Sequence, residues 1–353
     1  MALLLQALYG CVVSKKIEIV FSERGFMAEK EIWTPSGVGL APMAGFSDRA
    51  MRRVCHECGA DYSVTEMISA KAVTFGDKKT FMLAKIREDE GKVALQIFGK
   101  EPDVMAKASE ILAGGYDGEG YASPVAIDIN MGCPVNKVYS NGEGSALMKN
   151  PELIYKIVSA VRGACQIPVT VKMRIGVDSE HINVVECALA AESGGASAIC
   201  VHGRTRVQMY SGVVCRKAIK NVKKSLRIPV VANGDIVCAD DAISMLRETE
   251  ADGIAIGRGA VGNPFIFSEI KAAMAGEKYT APGMSERIEM ALRQLKLSVE
   301  DKGERIAVPE ARKQIALYLR SFKGAAQIRA KINMATSYNE VEKILGSLLT
   351  SEC

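Results

Sequence analysis

The chain has 353 residues, 48% of them hydrophobic and 24% charged, the balance of a globular protein with about two domains or one large barrel plus an appendage. This excludes intrinsic disorder and collagen-like fibres, and no run of about 18 uninterrupted apolar residues offers a membrane-spanning helix. Lys plus Arg is 45 against 41 Asp plus Glu, a net charge of +4, too small by itself to argue for a polyanionic partner. The excess is unevenly placed: residues 282–353 hold 12 basic and 9 acidic side chains, so +3 of the +4 lies in the last fifth of the chain.

Residues 1–32 carry little pattern and read as an N-terminal extension, with Met27 as an alternative start. Residues 3–13 are mostly apolar, but no basic segment precedes them and no small-residue cleavage site is clear, so they do not read as a secretory signal. The ten cysteines are scattered, and free thiols in a reducing, cytoplasmic setting are expected. Cys55-His-Glu-Cys58 is the one close pair. It reads either as a metal half-site or as two thiols on the core side of a helix. A tetrahedral site needs two more ligands, and the sequence has only two other histidines and no second CxxC. No metal is expected.

From residue 38 a rhythm begins. Short β-prone runs fall at 38–41, 61–65, 93–97, 125–129, 169–172, 198–201, 230–232 and 253–256, separated by segments of helical periodicity. Their starts are 23 to 44 residues apart, room for a strand, a helix and two loops. Runs this apolar suit a parallel sheet covered on both faces. Eight such units in about 240 residues match a TIM barrel over 33–281; a doubly wound sheet satisfies the same count. The βα rhythm stops near Tyr279-Thr-Ala-Pro-Gly283, and a helical domain is expected over 282–353. Within it, residues 311–339 carry six Lys or Arg and no Asp or Glu.

In a barrel, residues just after each strand converge on one mouth. That set is Pro42, Met43 and Ala44; Gln96; Asn130 and Cys133; Lys172 and Arg174; His202 and Arg204; Asn233, Gly234 and Asp235; and Gly257 and Arg258. The longest interval, between the fourth and fifth runs, holds Asn130-Met-Gly-Cys-Pro134 and Asn141-Gly-Glu-Gly-Ser145. A thiol in a Gly-Cys-Pro turn can be nucleophile, acid or an inert buried group. Lys172 can hold negative charge on a reduced ring, and His202 can donate to a ring carbonyl. Gly257-Arg-Gly-Ala-Val-Gly262 fits GxGxxG, yet no further βαβ unit follows it. A backbone phosphate cradle shared with Asn233, Gly234 and Asp235 is the better reading.

These residues resemble the tRNA-dihydrouridine synthases, bacterial B-type members in particular, from about residue 39 to 345. The signature segment is Ile127-Asp-Ile-Asn-Met-Gly-Cys-Pro-Val-Asn-Lys-Val138, followed after five residues by Gly144-Ser145. Leu40-Ala-Pro-Met-Ala-Gly45, Gln96-Ile-Phe-Gly99, Val171-Lys-Met-Arg174, His202-Gly-Arg-Thr205 and Asn233-Gly-Asp235 are similar to other segments of the family. The run starting Arg312-Lys-Gln-Ile-Ala resembles its helical RNA-binding domain. One departure is Val214-Cys-Arg216, where the family has a small residue, a polar residue and tryptophan.

The resemblance implies an FMN-binding TIM barrel followed by a small helical tRNA-binding domain. FMN would lie on Pro42, Met43, Ala44, Gln96, Lys172 and His202, with its phosphate on Asn233, Gly234, Asp235, Gly257 and Arg258. NADPH or NADH would reduce it, the flavin would deliver hydride to C6 of a flipped-out uracil in the D-loop of tRNA, and Cys133 would protonate C5. Asn130, Arg174 and Arg204 would hold the uracil edge or the tRNA backbone. Arg312, Lys313, Arg320, Lys323 and Arg329 would engage phosphates, as charges on one helical face do. A monomer is expected. The alternatives are another FMN barrel acting on a small pyrimidine, similar to dihydroorotate dehydrogenase, or a non-catalytic RNA-binding barrel.

Overall fold

The structure is a computed structural model, and it describes residues 35–115, 120–320 and 324–349. The expected extension over 1–32 and Lys323 lie outside the described residues. Among the described residues nine parallel strands form: β1 (Gly37–Leu40), β2 (Tyr62–Val64), β3 (Ile68–Ser69), β4 (Val93–Phe98), β5 (Ala126–Met131), β6 (Val169–Arg174), β7 (Ala198–His202), β8 (Val230–Asn233) and β9 (Gly253–Ile256). β1 pairs with both β2 and β9, and β2 pairs with β4, so eight strands close into a ring. Closure selects the TIM barrel over the open doubly wound sheet. The two-residue β3, paired only to β4, is additional and was too short to read from sequence.

Around the ring lie α1 (Arg49–Glu57), α2 (Ala70–Thr74), α3 (Lys78–Leu83), α4 (Pro102–Ala113), α5 (Asn136–Ser140), α6 (Pro151–Ala164), α7 (Val184–Ser193), α8 (Arg216–Ser225), α9 (Ala239–Thr249) and α10 (Ile266–Ala275). Their starts follow local chemistry. Asp48 caps α1 by accepting from the Met51 N–H, and Asn150 caps α6 with Pro151 at its first position. Cys55 is fully buried on α1 while His56 is exposed, and among the described residues no three metal-binding side chains come together. Despite the departure at 214–216, α8 forms, with Val214 buried beside Gly203. No described helix is long and apolar enough to cross a membrane.

The strand period of two places the site. Ile127, Ile129, Val169, Val171, Ile199, Val201, Val230, Ala232, Ile254 and Ile256 join the helices in one core. The alternate residues form a different surface. At its base are Ala126, Ala198 and Gly253; higher up are Gln96, Asp128, Asn130, Thr170, Lys172, His202 and Asn233. The sheet register sets Gln96 beside Asp128, Asp128 beside Thr170, Asn130 beside Lys172, Arg174 beside His202, and His202 beside Asn233. The strands are therefore apolar toward the helices but small and polar within.

The chain ends in α11 (Met284–Lys302), α12 (Glu304–Tyr318), α13 (Ala325–Met334) and α14 (Tyr338–Leu349). They share their own core around Ile288, Leu295, Ile315, Tyr318 and Leu345. Two kinds of contact join them to the barrel. Lys302 pairs with Asp48 at 2.7 Å, Arg293 with Glu57 at 2.7 Å, and Arg49 with Asp301. At Gly262, φ is +69° and a Cβ would stand 2.6 Å from the Leu317 backbone, so only glycine lets α12 rest on the loop after β9.

Candidate active site

The mouth gathers its side chains from the ends of the ring strands. Gln96, at 1% exposure, donates from Nε2 to Asp128 Oδ2 at 2.7 Å. Its Oε1 accepts from Asn130 Nδ2 at 2.8 Å. Asn130 Oδ1 then accepts the backbone N–H groups of Gly132 (3.2 Å) and Cys133 (2.9 Å). The turn is pinned from its other side by Ser145, whose hydroxyl donates to the Cys133 carbonyl at 2.8 Å. Gly144 has φ +60°, and a Cβ there would lie 3.0 Å from both Cβ and the carbonyl of Cys133. A side chain at 144 would thus be strained and would push the turn out of place.

Cys133 is buried. Burial pushes its thiol pKa up, against the opposing pull of the Val135 N–H and the Arg174 charge. It is a protonated thiol at neutral pH, matched to giving a proton rather than to nucleophilic attack.

Across the mouth, Lys172 Nζ donates to Asn233 Oδ1 at 3.0 Å, and Asn233 Nδ2 donates to the Ala255 carbonyl at 2.6 Å. Burial lowers the Lys172 pKa. His202 is 8% exposed. Its burial, reinforced by the charges of Lys172, Arg174, Arg204 and Arg258, pushes its pKa down to about 2. The ring is neutral, so it keeps one donor and one acceptor nitrogen. Asp235 faces this cationic group, pairing with Arg204 at 2.6 Å and Arg258 at 3.4 Å. Its φ of +52° is left-handed backbone, uncommon outside glycine, and the Arg204 pair holds it there. Arg258 is 56% exposed, and a Cβ on Gly257 would meet only Met43 Sδ, at 3.6 Å. Excess positive charge beside open backbone is a fit for a phosphate ester.

The remaining expected contacts divide. Pro42 and Met43 are half-buried and Ala44 exposed in the loop after β1. Arg174 donates to the carbonyls of Gly132, Thr205 and Met209. Arg204 donates to Ser211, Gly212 and Asp235. Both side chains are therefore engaged in pinning loops, a use that strand-end position did not suggest. In the tail, Arg312 turns inward and donates to the Ala335 carbonyl, at 2.6 Å from Nη2. Arg320 and Arg329 are exposed. Lys313 is also exposed and stands 4.3 Å from the centre of the Phe46 ring, beside the loop after β1.

Several residues at the site were not anticipated. Asp128 and Thr170 lie within strands; the signal was a carboxylate and a hydroxyl in otherwise apolar runs. Glu66, just after β2, accepts the Gly45 N–H at 2.5 Å, and its position after a strand was the cue. Tyr210, half exposed, lies 4.8 Å from Arg258 and 5.9 Å from Arg174; only folding brings these together.

Fold and mouth together define a (β/α)8-barrel protein with the buried thiol of Cys133 and a group of cations around His202 at the ends of its strands. A family model described as dihydrouridine synthase (Dus) matches residues 39–351. The chain is 37% identical over 318 residues to a probable tRNA-dihydrouridine synthase of Rickettsia conorii, an alignment covering 90% of this chain and 94% of that relative. It is 38% identical over 315 residues to the tRNA-dihydrouridine synthase B of Shewanella oneidensis, covering 88% and 95%. A probable tRNA-dihydrouridine synthase 1 of Synechocystis is 37% identical over 319 residues, covering 90% and 87%. The chain belongs to the dihydrouridine synthase family.

Proposed function

We propose that the protein reduces uridine to 5,6-dihydrouridine in the D-loop of tRNA, with FMN as its cofactor and NADPH or NADH as the reductant. The observation that carries this reading is the buried Cys133, held in its turn by Asn130 and Ser145, at the ends of strands that also carry the cations around His202. When bound, FMN supplies the hydride that C6 of the uracil receives. Lys172, which donates to the Asn233 amide, supports negative charge on the reduced ring system, and neutral His202 offers a donor to a ring carbonyl. Gly234, Asp235, Gly257 and Arg258 hold the phosphate, where exposed cation and open backbone meet. Pro42, Met43, Ala44 and Gln96 would hold the FMN ring system.

Cys133 gives its proton to C5, and burial keeps that proton in place until the base arrives. The thiolate left behind is stabilised by nearby Arg174 and takes a proton from solvent. Asn130, which holds the turn through Oδ1, has its amide at the mouth for a uracil edge. Arg174 and Arg204 shape the walls on which the nucleotide rests. Lys313, Arg320 and Arg329, with Lys323, engage tRNA phosphates, and Arg312 orders the helices that present them.

The test is mass-spectrometric dihydrouridine content of unmodified tRNA incubated with protein, FMN and NADPH. Wild type should form product and Cys133→Ala about 100-fold less, the scale of a lost general acid. A protein that holds FMN and oxidises NADPH but modifies no tRNA would defeat the tRNA reading and favour a small pyrimidine as substrate.

A further inference from the structure

Glu66 takes no part in the reaction described above. It follows β2, and its backbone belongs to the barrel frame: its carbonyl accepts from the Thr65 hydroxyl at 2.9 Å, that hydroxyl accepts the Gln96 N–H at 3.0 Å, and the Thr65 N–H donates to the Ala94 carbonyl at 3.0 Å. From this fixed base the half-buried carboxyl group reaches the loop after the neighbouring β1, where Oε1 accepts the Gly45 N–H at 2.5 Å. That loop is a turn closed mainly on itself. Ser47 Oγ accepts the Met43 N–H at 2.9 Å, and the Met43 carbonyl accepts the N–H groups of Phe46 (3.0 Å) and Ser47 (2.9 Å). Among the described residues, the bond to Glu66 is the one hydrogen bond that ties residues 43–46 to a distant part of the chain. Gly45 is exposed, with φ +74°, so without Glu66 its N–H would turn to water and the turn would keep only its internal bonds. The placing of this turn bears on the site, because Met43 Sδ lies 3.6 Å from where a Cβ on Gly257 would stand.

We propose that Glu66 is a positioning residue for the cofactor, anchoring the turn at 43–46 to the barrel so that Pro42, Met43 and Ala44 stand in place before FMN arrives; this rests on the FMN reading given above. A backbone N–H only donates, so the anchor needs an acceptor oxygen and not a charge. Burial pushes the Glu66 carboxyl pKa up and the Gly45 N–H pulls it down, while Asp48 raises it and Lys302 and Arg52 lower it. Either protonation state leaves an oxygen that can accept. Glu66→Gln therefore keeps the anchor, whereas Glu66→Met keeps the length of the side chain and loses the oxygen. Both remove the same charge beside Asp48, Lys302 and Arg52, so the difference between them reads the bond rather than the charge.

Two measurements on the full chain test this. Site-resolved amide hydrogen exchange needs neither cofactor nor tRNA. In wild type, relative to intrinsic rates, Gly45 should exchange about 10-fold more slowly than Ala44, which is also exposed and whose N–H has no partner among the described residues. Glu66→Met should abolish that protection and leave the amides of β4 to β6 unchanged, and Glu66→Gln should stay within about 3-fold of wild type. The second measurement is FMN titration of cofactor-free protein, followed by flavin fluorescence. A site assembled only part of the time binds more weakly by that fraction, so Kd should rise about 10-fold in Glu66→Met and less than about 3-fold in Glu66→Gln. Equal protection of Gly45 and Ala44 in wild type, or Met and Gln variants that agree in exchange or in FMN affinity, would overturn the proposal while leaving the cofactor reading intact. A wild type that binds no FMN would overturn both. If Glu66→Met gives no soluble protein, wild type and Glu66→Gln decide: a protected Gly45 and similar FMN affinity in both support the proposal, and an unprotected Gly45 or a lost affinity in Glu66→Gln overturns it.

Discussion

The seam between barrel and tail and the helical face beyond it use the same residues to different ends. At the seam each cation has an anion: Arg49 meets Asp301, Lys302 meets Asp48 and Glu310, and Arg293 meets Glu57, while just inside the barrel Arg52 meets Glu90 at 2.6 Å with both side chains almost fully buried. On α12, α13 and the turn between them, Lys313, Arg320, Arg329 and Lys331 are exposed, with no carboxylate in ion-pair range among the described residues. The net charge of the tail therefore understates its pull on an anion, because its positive groups divide into those already neutralised and those left open. Pairing, rather than count, separates a charge that holds the fold from one available to a partner.

The largest expected effect breaks the buried pair inside the barrel, whose Glu90 also holds the seam residue Arg49. Glu90→Ala leaves the guanidinium of Arg52 buried without its anion, and chemical denaturation should register a loss of about 3 kcal/mol. An unchanged denaturation midpoint would show that Arg52 finds another acceptor. The next tests the mouth, where cations crowd one ring instead of meeting acids. His202 titrates at about 2 in the folded protein against about 6.5 unfolded. Between those values the unfolded chain takes up a proton that the folded chain refuses. Stability therefore falls as pH falls below about 6.5, by up to about 1.4 kcal/mol per unit from this group. His202→Gln should remove that part of the slope, and urea titrations at about pH 5 and pH 7 will measure it. Identical slopes in the two proteins would place His202 in a less cationic setting than the one described. The smallest effect sharpens the other side of the comparison. Replacing Lys313 or Arg329 by Ala should leave thermal stability unchanged, while each removes roughly 0.7 from the slope of log affinity for tRNA against log salt. A large drop in melting temperature with an unaltered slope would move these residues to the structural class.

The barrel was legible because its signal is local. Alternation of aliphatic residues along each strand, and the Gly, Pro or polar residue closing it, lie within a few positions of one another, and all eight ring strands begin within one residue of the expected start. The Gly-Cys-Pro turn was legible for the same reason. The chain from Asp128 through Gln96 to Asn130 was not, because it depends on register between β4 and β5 across more than 30 positions. The seam was further out of reach, since Arg49 and Asp301 are 252 residues apart. Position after a strand located Arg174 and Arg204 but carried no information on which carbonyls would claim their donors.

The close approach at Gly262 limits modularity. Because the α12 backbone sits directly on the loop that follows Gly257 and Arg258, the appendage is keyed to one barrel rather than attached as an interchangeable part. A tail grafted from another chain would meet a socket cut for its own ridge at Leu317, and an insertion between β9 and α10 would tilt the whole appendage as well as lengthening a loop.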